Sequence, residues 1–331
     1  MPETTPIDVT IAILTYDGEA YLGRILEMIR RQDYEGAVEV LVIDSGSTDR
    51  TLDIVRSFPE VVLHQIPNSE FGHGKTRNLA ARLAKGRFIA YLTHDAVPAS
   101  EGWLRELLAP FDLDERIVAV MGKQVPRPSC FPLLKYEIEG VFAGFGPDFG
   151  TSLFYKDRFA DSEGVLSAMG FYSDVNSAAR RDFLVEVIPY RDVRYAEDQL
   201  FGRDVIDAGL IKAYAPRGAV EHSNDLTLDE YGKRIFDETV GLRQIGTAIP
   251  PMSRGTQLRL TLRGIGGDTL RILRDARYGR LRKLYWLLTN PSYQIRKWSS
   301  YRDSTLVDVT DPAAVAAGSL EHSKKSRAHS A

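Results

Sequence analysis

Residues 9–14 form a β-branched apolar run, residues 19–31 carry apolar side chains at helical spacing (Leu22, Ile25, Leu26, Ile29), and residues 38–43 are apolar again except at Glu39. The alternation then repeats. Thr48 or Asp49 can cap a helix running to Phe58, residues 61–66 read as a third strand, residues 75–84 as a helix and residues 88–92 as a fourth strand. Strands that are apolar on both faces must be covered on both faces, so this pattern demands an α/β fold with a mostly parallel central sheet between helices. In such a sheet the carboxyl ends of the strands form one rim, and ligands bind there.

The expected rim carries Thr15-Tyr16-Asp17, Asp44-Ser45-Gly46-Ser47 and Thr93-His94-Asp95, all polar. A carboxylate such as Asp95, leaving a buried strand, is placed to meet a metal-bound diphosphate, which points to nucleotide-sugar chemistry. The same residue alone serves equally as a turn former. No G-x-G-x-x-G follows the first strand and no G-x-x-x-x-G-K-[ST] occurs, so dinucleotide binding and P-loop phosphoryl transfer lack their phosphate cradles. Gly72-His73-Gly74-Lys75 lacks the required spacing, although its glycines can bring backbone amides near an anion at the next helix start.

Further along, residues 103–111 read as a helix and residues 117–121 as a strand. Residues 125–159 are rich in proline and aromatics and read as a binding loop. Order resumes over residues 171–180, and residues 195–208 open a helix with Glu197 and Asp198 in its first turn, ended by Gly209. Residues 213–216 and 219–222 follow as two short extended pieces.

With 331 residues, 44% of them hydrophobic and 26% charged, the chain has room for one large domain and an accessory segment. The expected divisions are a catalytic domain over residues 1–240, a basic helical segment over 241–317 and a disordered tail over 318–331. The single cysteine, Cys130, has no internal partner and reads as a packing residue. No charged-then-apolar leader opens the sequence, so a reducing, cytoplasmic setting is expected. No apolar stretch approaches the ~18 to 20 residues that cross a bilayer, and any membrane contact is expected to be peripheral, on the inner face of the plasma membrane. Residues 254–302 are rich in Arg and Lys, with Asp268 and Asp275 as their only acids. Together with Leu258, Leu260, Leu262, Leu270, Ile272, Leu273, Trp286 and Trp298, this suits basic helices on an anionic membrane surface. Packing on the rest of the chain or on a second subunit fits the same pattern; nucleic acid is not an expected partner.

The order of Thr15-Tyr16, Asp44-Ser45-Gly46-Ser47-Thr48-Asp49, Arg77-Asn78, Asp95, Glu197-Asp198 and His222 resembles that of the family-2 inverting glycosyltransferases of the GT-A fold, over roughly residues 8–235. More narrowly, Phe71-Gly72-His73-Gly74-Lys75-Thr76-Arg77-Asn78, Leu92-Thr93-His94-Asp95-Ala96-Val97-Pro98, Ser173-Asp174-Val175-Asn176-Ser177-Ala178 and Tyr195-Ala196-Glu197-Asp198-Gln199 are similar to segments of the bacterial rhamnosyltransferase branch. Two departures stand out. Thr93 occupies the place of the first carboxylate of the usual D-x-D, and the Q-x-x-R-W of processive synthases is absent, which favours transfer of a single sugar.

The resemblance implies a nucleotide-diphosphate-sugar donor, a divalent cation (Mg²⁺ or Mn²⁺) held by Asp95 and His222, and Asp198 as the base that takes the acceptor proton, with Glu197 as the fallback. Acids in a first helical turn also serve the helix dipole alone, and a histidine at a strand end can be purely structural. Thr15, Tyr16, Asp44, Ser45, Lys75, Arg77, His94 and Asp95 are the candidate donor contacts, and Asp174 and Asn176 the candidate acceptor contacts. The favoured sugar is rhamnose from dTDP-rhamnose, passed to a glycan or lipid-linked acceptor in cell-surface polysaccharide synthesis. A UDP-hexose or UDP-N-acetylhexosamine transferase, and a non-catalytic nucleotide-sugar-binding assembly protein, are the alternatives.

Overall fold

The computed structural model describes residues 6–157, 169–320 and 322–323. The chain divides into two compact units, residues 1–127 with 138–223, and residues 128–137 with 224–331.

In the first unit the strands are β1 (Val9–Thr15), β2 (Val38–Asp44), β3 (Val61–Gln65), β4 (Phe88–Thr93), β5 (Val97–Pro98), β6 (Ile117–Val125), β7 (Ser152–Phe154), β8 (Asn176–Arg180) and β9 (Ile211–Glu221). They form one sheet in the order β3-β2-β1-β4-β8-β6-β9-β5, with β7 added against β9. The β1–β2, β1–β4, β2–β3 and β6–β9 pairs are parallel, and β8 runs antiparallel between β4 and β6. Register aligns Thr15 with Asp44, and Leu14 with Thr93, so the three expected rim segments do leave the sheet side by side.

Strand alternation sends successive side chains to opposite faces, and both faces are covered. Val9, Ile11, Ile13, Val40 and Val42 pack with Leu22, Ile25, Leu26 and Ile29 of α1 (Leu22–Arg30) and with Trp103, Leu104 and Leu107 of α4 (Trp103–Leu108). Ala12, Leu41, Ile43, Ile89 and Tyr91 pack with Ala80 and Ala81 of α3 (His73–Leu83) and with Phe201 and Val205 of α7 (Glu197–Asp207). Two shorter helices, α2 (Thr51–Arg56) and α6 (Arg181–Glu186), complete this unit. At the start of α2 it is Asp49 whose carboxylate accepts from the Thr51 amide.

Two expectations are corrected. The stretch 125–159 is not a plain loop: α5 (Pro132–Ala143) and β7 lie in it, residues 158 and 159 being outside the described residues. Proline is tolerated in a first helical turn, and Leu134, Ile138, Val141 and Phe142 follow at helical spacing, a pattern that the proline and aromatic content of the stretch outweighed. The two extended pieces around Gly218 are one strand, β9, whose register against β6 shifts between Gly122 and Gln124. A bulge absorbs the proline and glycine that had read as a break.

The second unit holds α8 (Leu228–Gln244), α9 (Arg254–Arg274), α10 (Arg280–Leu306) and α11 (Pro312–Gly318). Thr227 and Glu230 form a reciprocal capping box on α8. Phe131, Leu133, Tyr231, Trp286 and Tyr293 make one small core and Phe236, Val240 and Val315 another. Disorder from Gly318 does not hold at Ser319 and Leu320, which are buried, the Leu320 amide donating to Asp237 Oδ2; residues 321 and 324–331 lie outside the described residues. Among the described residues no helix is long and apolar enough to cross a membrane.

Candidate active site

The first two rim loops are knitted to each other. Asp17, in the left-handed region at φ 49°, accepts from the Thr48 amide through Oδ1 and donates its own amide to Ser47 Oγ. The Ser45 amide and hydroxyl both donate to Thr15 O, at 3.0 and 3.1 Å. Asp44 is fully buried, and its carboxylate accepts from the Gly46 and Ser47 amides and from the Ser47 hydroxyl. The carboxylate therefore closes the turn. Tyr16 is half-buried and its amide lies 3.4 Å from His94 Nδ1, which ties the first rim loop to the third. Lys75 is exposed in the first turn of α3.

Asp95 and His222 come together although they lie far apart in sequence. His222 Nε2 is 3.3 Å from Asp95 Oδ2, and Asp95 Oδ1 accepts from Thr93 Oγ1 at 2.7 Å. Thr93, standing where a carboxylate was expected, thus orients the carboxylate that remains. His222 Nδ1 faces Gln124 Oε1 at 3.0 Å. An amide oxygen only accepts, so Nδ1 donates to Gln124 and Nε2 is the nitrogen that faces Asp95. Burial would raise the Asp95 carboxyl, but His222, with smaller help from His94 and Thr93, holds it well below the usual carboxylate range.

Arg127 binds the backbone on both sides of this pair. Its guanidinium donates to Asp95 O and to Ser223 O and stacks on the Tyr21 ring at 3.8 Å, while its amide donates to Ser223 Oγ. The His222 amide donates to Val125 O. The end of β6 therefore supplies Gln124, Val125 and Arg127 to fix both residues of the pair. Sequence reading passed over Gln124 and Arg127; polar residues ending an apolar strand were the only signal.

The donor set suits a divalent cation. Two ligands at ~2.1 Å from one ion and at right angles stand ~3 Å apart, close to the Asp95–His222 separation. An oxygen with an imidazole nitrogen suits Mn²⁺ and is acceptable to Mg²⁺. Among the described residues no third His, Cys, Asp or Glu joins them, so diphosphate oxygens and water would complete the shell.

A second cluster lies between α3, β8 and α7. Arg77, itself buried, pairs through Nε with Asp174 Oδ2 at 3.2 Å and through NH1 with Glu197 Oε1, and it lies over the Tyr190 ring. Asp174 also accepts from Ser177 Oγ at 2.6 Å and Tyr190 OH at 2.8 Å. Asp198 is half-buried beside this cluster. Burial first, then the negative charges of Glu197 and Asp174, push its carboxyl well above the usual carboxylate range, with Arg77 opposing. Burial also raises Asp174, against the pull of Arg77. Ala196, immediately before α7, sits at φ 63°, a left-handed backbone that aims the first turn with its two acids.

Four of the expected site residues are held in this network or in the packing beside it. The charge of Arg77 is matched by two carboxylates, which leaves little of it for a diphosphate. Glu197 is held in that ion pair and is a poor fallback base. Asp174 is a buried partner of Arg77. Asn176 is fully buried: Oδ1 accepts from Trp103 Nε1, and Nδ2 donates to Lys123 O and Gly218 O, which uses both of its amide hydrogens. A Cβ at Gly122 would meet Asn176 Nδ2 at 2.1 Å, so Asn176 belongs to the packing of the bulge.

The family model described as Glycosyl transferase family 2 matches residues 10–185, more than half of the chain. The chain belongs to glycosyltransferase family 2. Its relatives include the O-antigen chain rhamnosyltransferase RfbN of Salmonella typhimurium, 30% identical over 234 residues that cover 70% of this chain and 71% of the relative. The architecture is the GT-A fold. It is shared with the mannosyltransferase PcManGT of Pyrobaculum calidifontis, solved with GDP-Man and Mn²⁺ (TM-score 0.56, 19% identity, 98% of this chain and 89% of that one). It is also shared with residues 1–349 of TarS from S. aureus, solved with UDP-GlcNAc (TM-score 0.51, 18% identity, 94% and 79%).

Proposed function

We propose that this family-2 enzyme is an inverting transferase of a single sugar, rhamnose from dTDP-rhamnose, to a glycan or lipid-linked acceptor in cell-surface polysaccharide synthesis. The choice of sugar rests on the likeness to RfbN. The observation that carries the chemistry is the Asp95–His222 pair with Gln124 behind it, on the rim of the sheet.

A divalent cation held by Asp95 and His222 would stabilise charge on the departing diphosphate, more in the transition state than in the ground state. Thr93 and Arg127 keep Asp95 in place, and Gln124 keeps the proton of His222 on Nδ1. Asp198 takes the proton of the acceptor hydroxyl as that oxygen attacks the anomeric carbon from the side opposite the diphosphate. Its raised carboxyl makes it a stronger base than an exposed aspartate once it is ionised. Arg77, by neutralising Glu197 and Asp174, allows Asp198 to ionise at all. The donor enters along the rim, past Thr15, Tyr16, Ser45, His94 and Lys75, and the whole reaction is assigned to the cytoplasmic side.

The test is a panel of dTDP- and UDP-sugars, scored for thermal stabilisation and donor hydrolysis with and without Mn²⁺. Stabilisation by dTDP-rhamnose above all others is expected, because a ligand that binds only the native state raises apparent stability. Preference for a UDP-hexose or UDP-N-acetylhexosamine would overturn the sugar and keep the chemistry. Binding without hydrolysis or transfer would overturn the enzyme reading.

A further inference from the structure

The second unit carries a surface that sugar transfer does not use. On α10, Leu281, Leu284, Leu288 and Ile295 follow one another at spacings of three, four and seven, so they share one helical face, and each is more than half exposed. On α9, Leu258, Leu262 and Leu273 share a face in the same way, with Leu270 beside it, and all four are exposed. A different side of each helix is the packed one, marked by Thr261, Asp268 and Ile272 on α9 and by Asn290, Gln294 and Ser304 on α10. Asp268 accepts from Gln294 Nε2, so the two helices meet through polar groups and turn leucines outward, the reverse of an ordinary soluble hairpin.

The charge around these leucines is of one sign. Residues 254–302 hold twelve Arg or Lys and two Asp. Asp268 is buried, and Asp275 is occupied by Arg277 and Tyr136. Arg259, Arg263 and Arg274 flank the α9 leucines, Arg254 and Arg280 stand at the helix starts, and none of these five meets a carboxylate among the described residues. Exposed apolar stripes bordered by uncompensated arginines match an interface of acyl chains below anionic headgroups. A second copy of this surface would bring like charges together.

We propose that α9 and α10 form a peripheral docking surface for an anionic lipid bilayer, the leucines entering the headgroup boundary and the arginines holding the lipid charge. The claim does not depend on which sugar is transferred.

The experiment is co-sedimentation of the full-length protein with phosphatidylcholine vesicles and with vesicles also containing phosphatidylglycerol, at low and high salt, with light scattering to fix the oligomeric state. Pelleting is expected only with the anionic vesicles, and salt should weaken it. Leu281→Ser/Leu284→Ser/Leu288→Ser and, separately, Arg259→Gln/Arg263→Gln/Arg274→Gln should each lower the partition about tenfold or more, with donor hydrolysis in solution unchanged. Equal pelleting with neutral and anionic vesicles, or none with either, overturns the proposal. So does a leucine variant that turns a dimer into a monomer, which would make the stripe a subunit seam. Because the arginine variant alters only exposed side chains, it keeps the test decisive if the leucine variant fails to fold.

Discussion

His222 Nε2 stands 3.3 Å from Asp95 Oδ2, while Gln124 holds the opposite ring nitrogen. With Nδ1 held by Gln124, Nε2 is the nitrogen that the proposed cation would take beside Asp95. Donor affinity is therefore expected to rise with Mn²⁺ and to fall in Asp95→Ala and, less steeply, in His222→Ala. Gln124→Leu touches no donor atom, yet it should weaken Mn²⁺ binding about 10- to 100-fold by freeing the ring. Titration of Mn²⁺ into each variant with dTDP, followed calorimetrically, measures this. Unchanged donor hydrolysis in excess chelator would end the cation reading and move the diphosphate charge to Lys75.

Asp198→Asn should abolish transfer, lowering kcat by about 10²- to 10⁴-fold while leaving donor affinity intact, since the amide keeps the shape and cannot take the proton. The same change should stabilise the protein near neutral pH. The folded carboxyl is raised above its unfolded value, so its contribution is fully present below the unfolded value and is lost as pH rises through the folded one. The amide of the variant does not ionise at all. Wild type should accordingly lose stability relative to the variant as pH climbs from about 4, the ordinary carboxylate value. Thermal melts across pH, beside single-turnover rates, separate the two effects; a variant that is no more stable at pH 8 than at pH 4, relative to wild type, would mean that Asp198 is not under this electrostatic load.

The sheet was legible because strands buried on both faces must be apolar throughout, as residues 9–14 and 88–92 are, and because parallel strands put their polar ends on one rim. The Asp95–His222 pair was legible only through family resemblance, since nothing local in the sequence says that β9 ends beside β4. The pairing of Arg77 was not legible for a physical reason: a basic residue on a helix near a rim looks available to phosphate, and only the fold shows two carboxylates reaching it. Asn176, in β8, and Asp174, just before it, were ambiguous likewise, as polar residues at a strand start are as readily held by a bulge or a buried pair as offered to a sugar. Arg127 and Gln124 were hard to see because Arg127 holds two backbone carbonyls and Gln124 a ring nitrogen far along the chain, and no side-chain pattern announces those.

Arg77→Met is expected to cost about 3 to 5 kcal/mol of stability, because it leaves Asp174 and Glu197 buried without their counter-charge. Protonation of the stranded carboxylates should restore part of the loss, so the deficit should shrink at low pH. Urea denaturation at neutral and acidic pH gives both numbers. A variant of normal stability with weakened donor binding would instead place Arg77 on the diphosphate.

Ala196 occupies the left-handed region at φ 63°, one residue ahead of the Glu197–Asp198 turn. A β-branched side chain is strained there, so Ala196→Val should cost ~1 to 2 kcal/mol. Glycine has no such strain but loses more entropy on folding, and the two effects oppose each other, so Ala196→Gly should stay within ~0.5 kcal/mol of wild type. The kinetic consequence should exceed the thermodynamic one. If this backbone aims Asp198, Ala196→Val should lower kcat with little change in donor KM, because the base shifts and the donor-side rim does not. Ala196→Gly should keep most of kcat. Stability from denaturant titration and kcat with KM from initial rates decide it: a valine variant with wild-type kcat would show that the first turn of α7 is positioned by the Arg77–Glu197 pair and not by the left-handed residue before it.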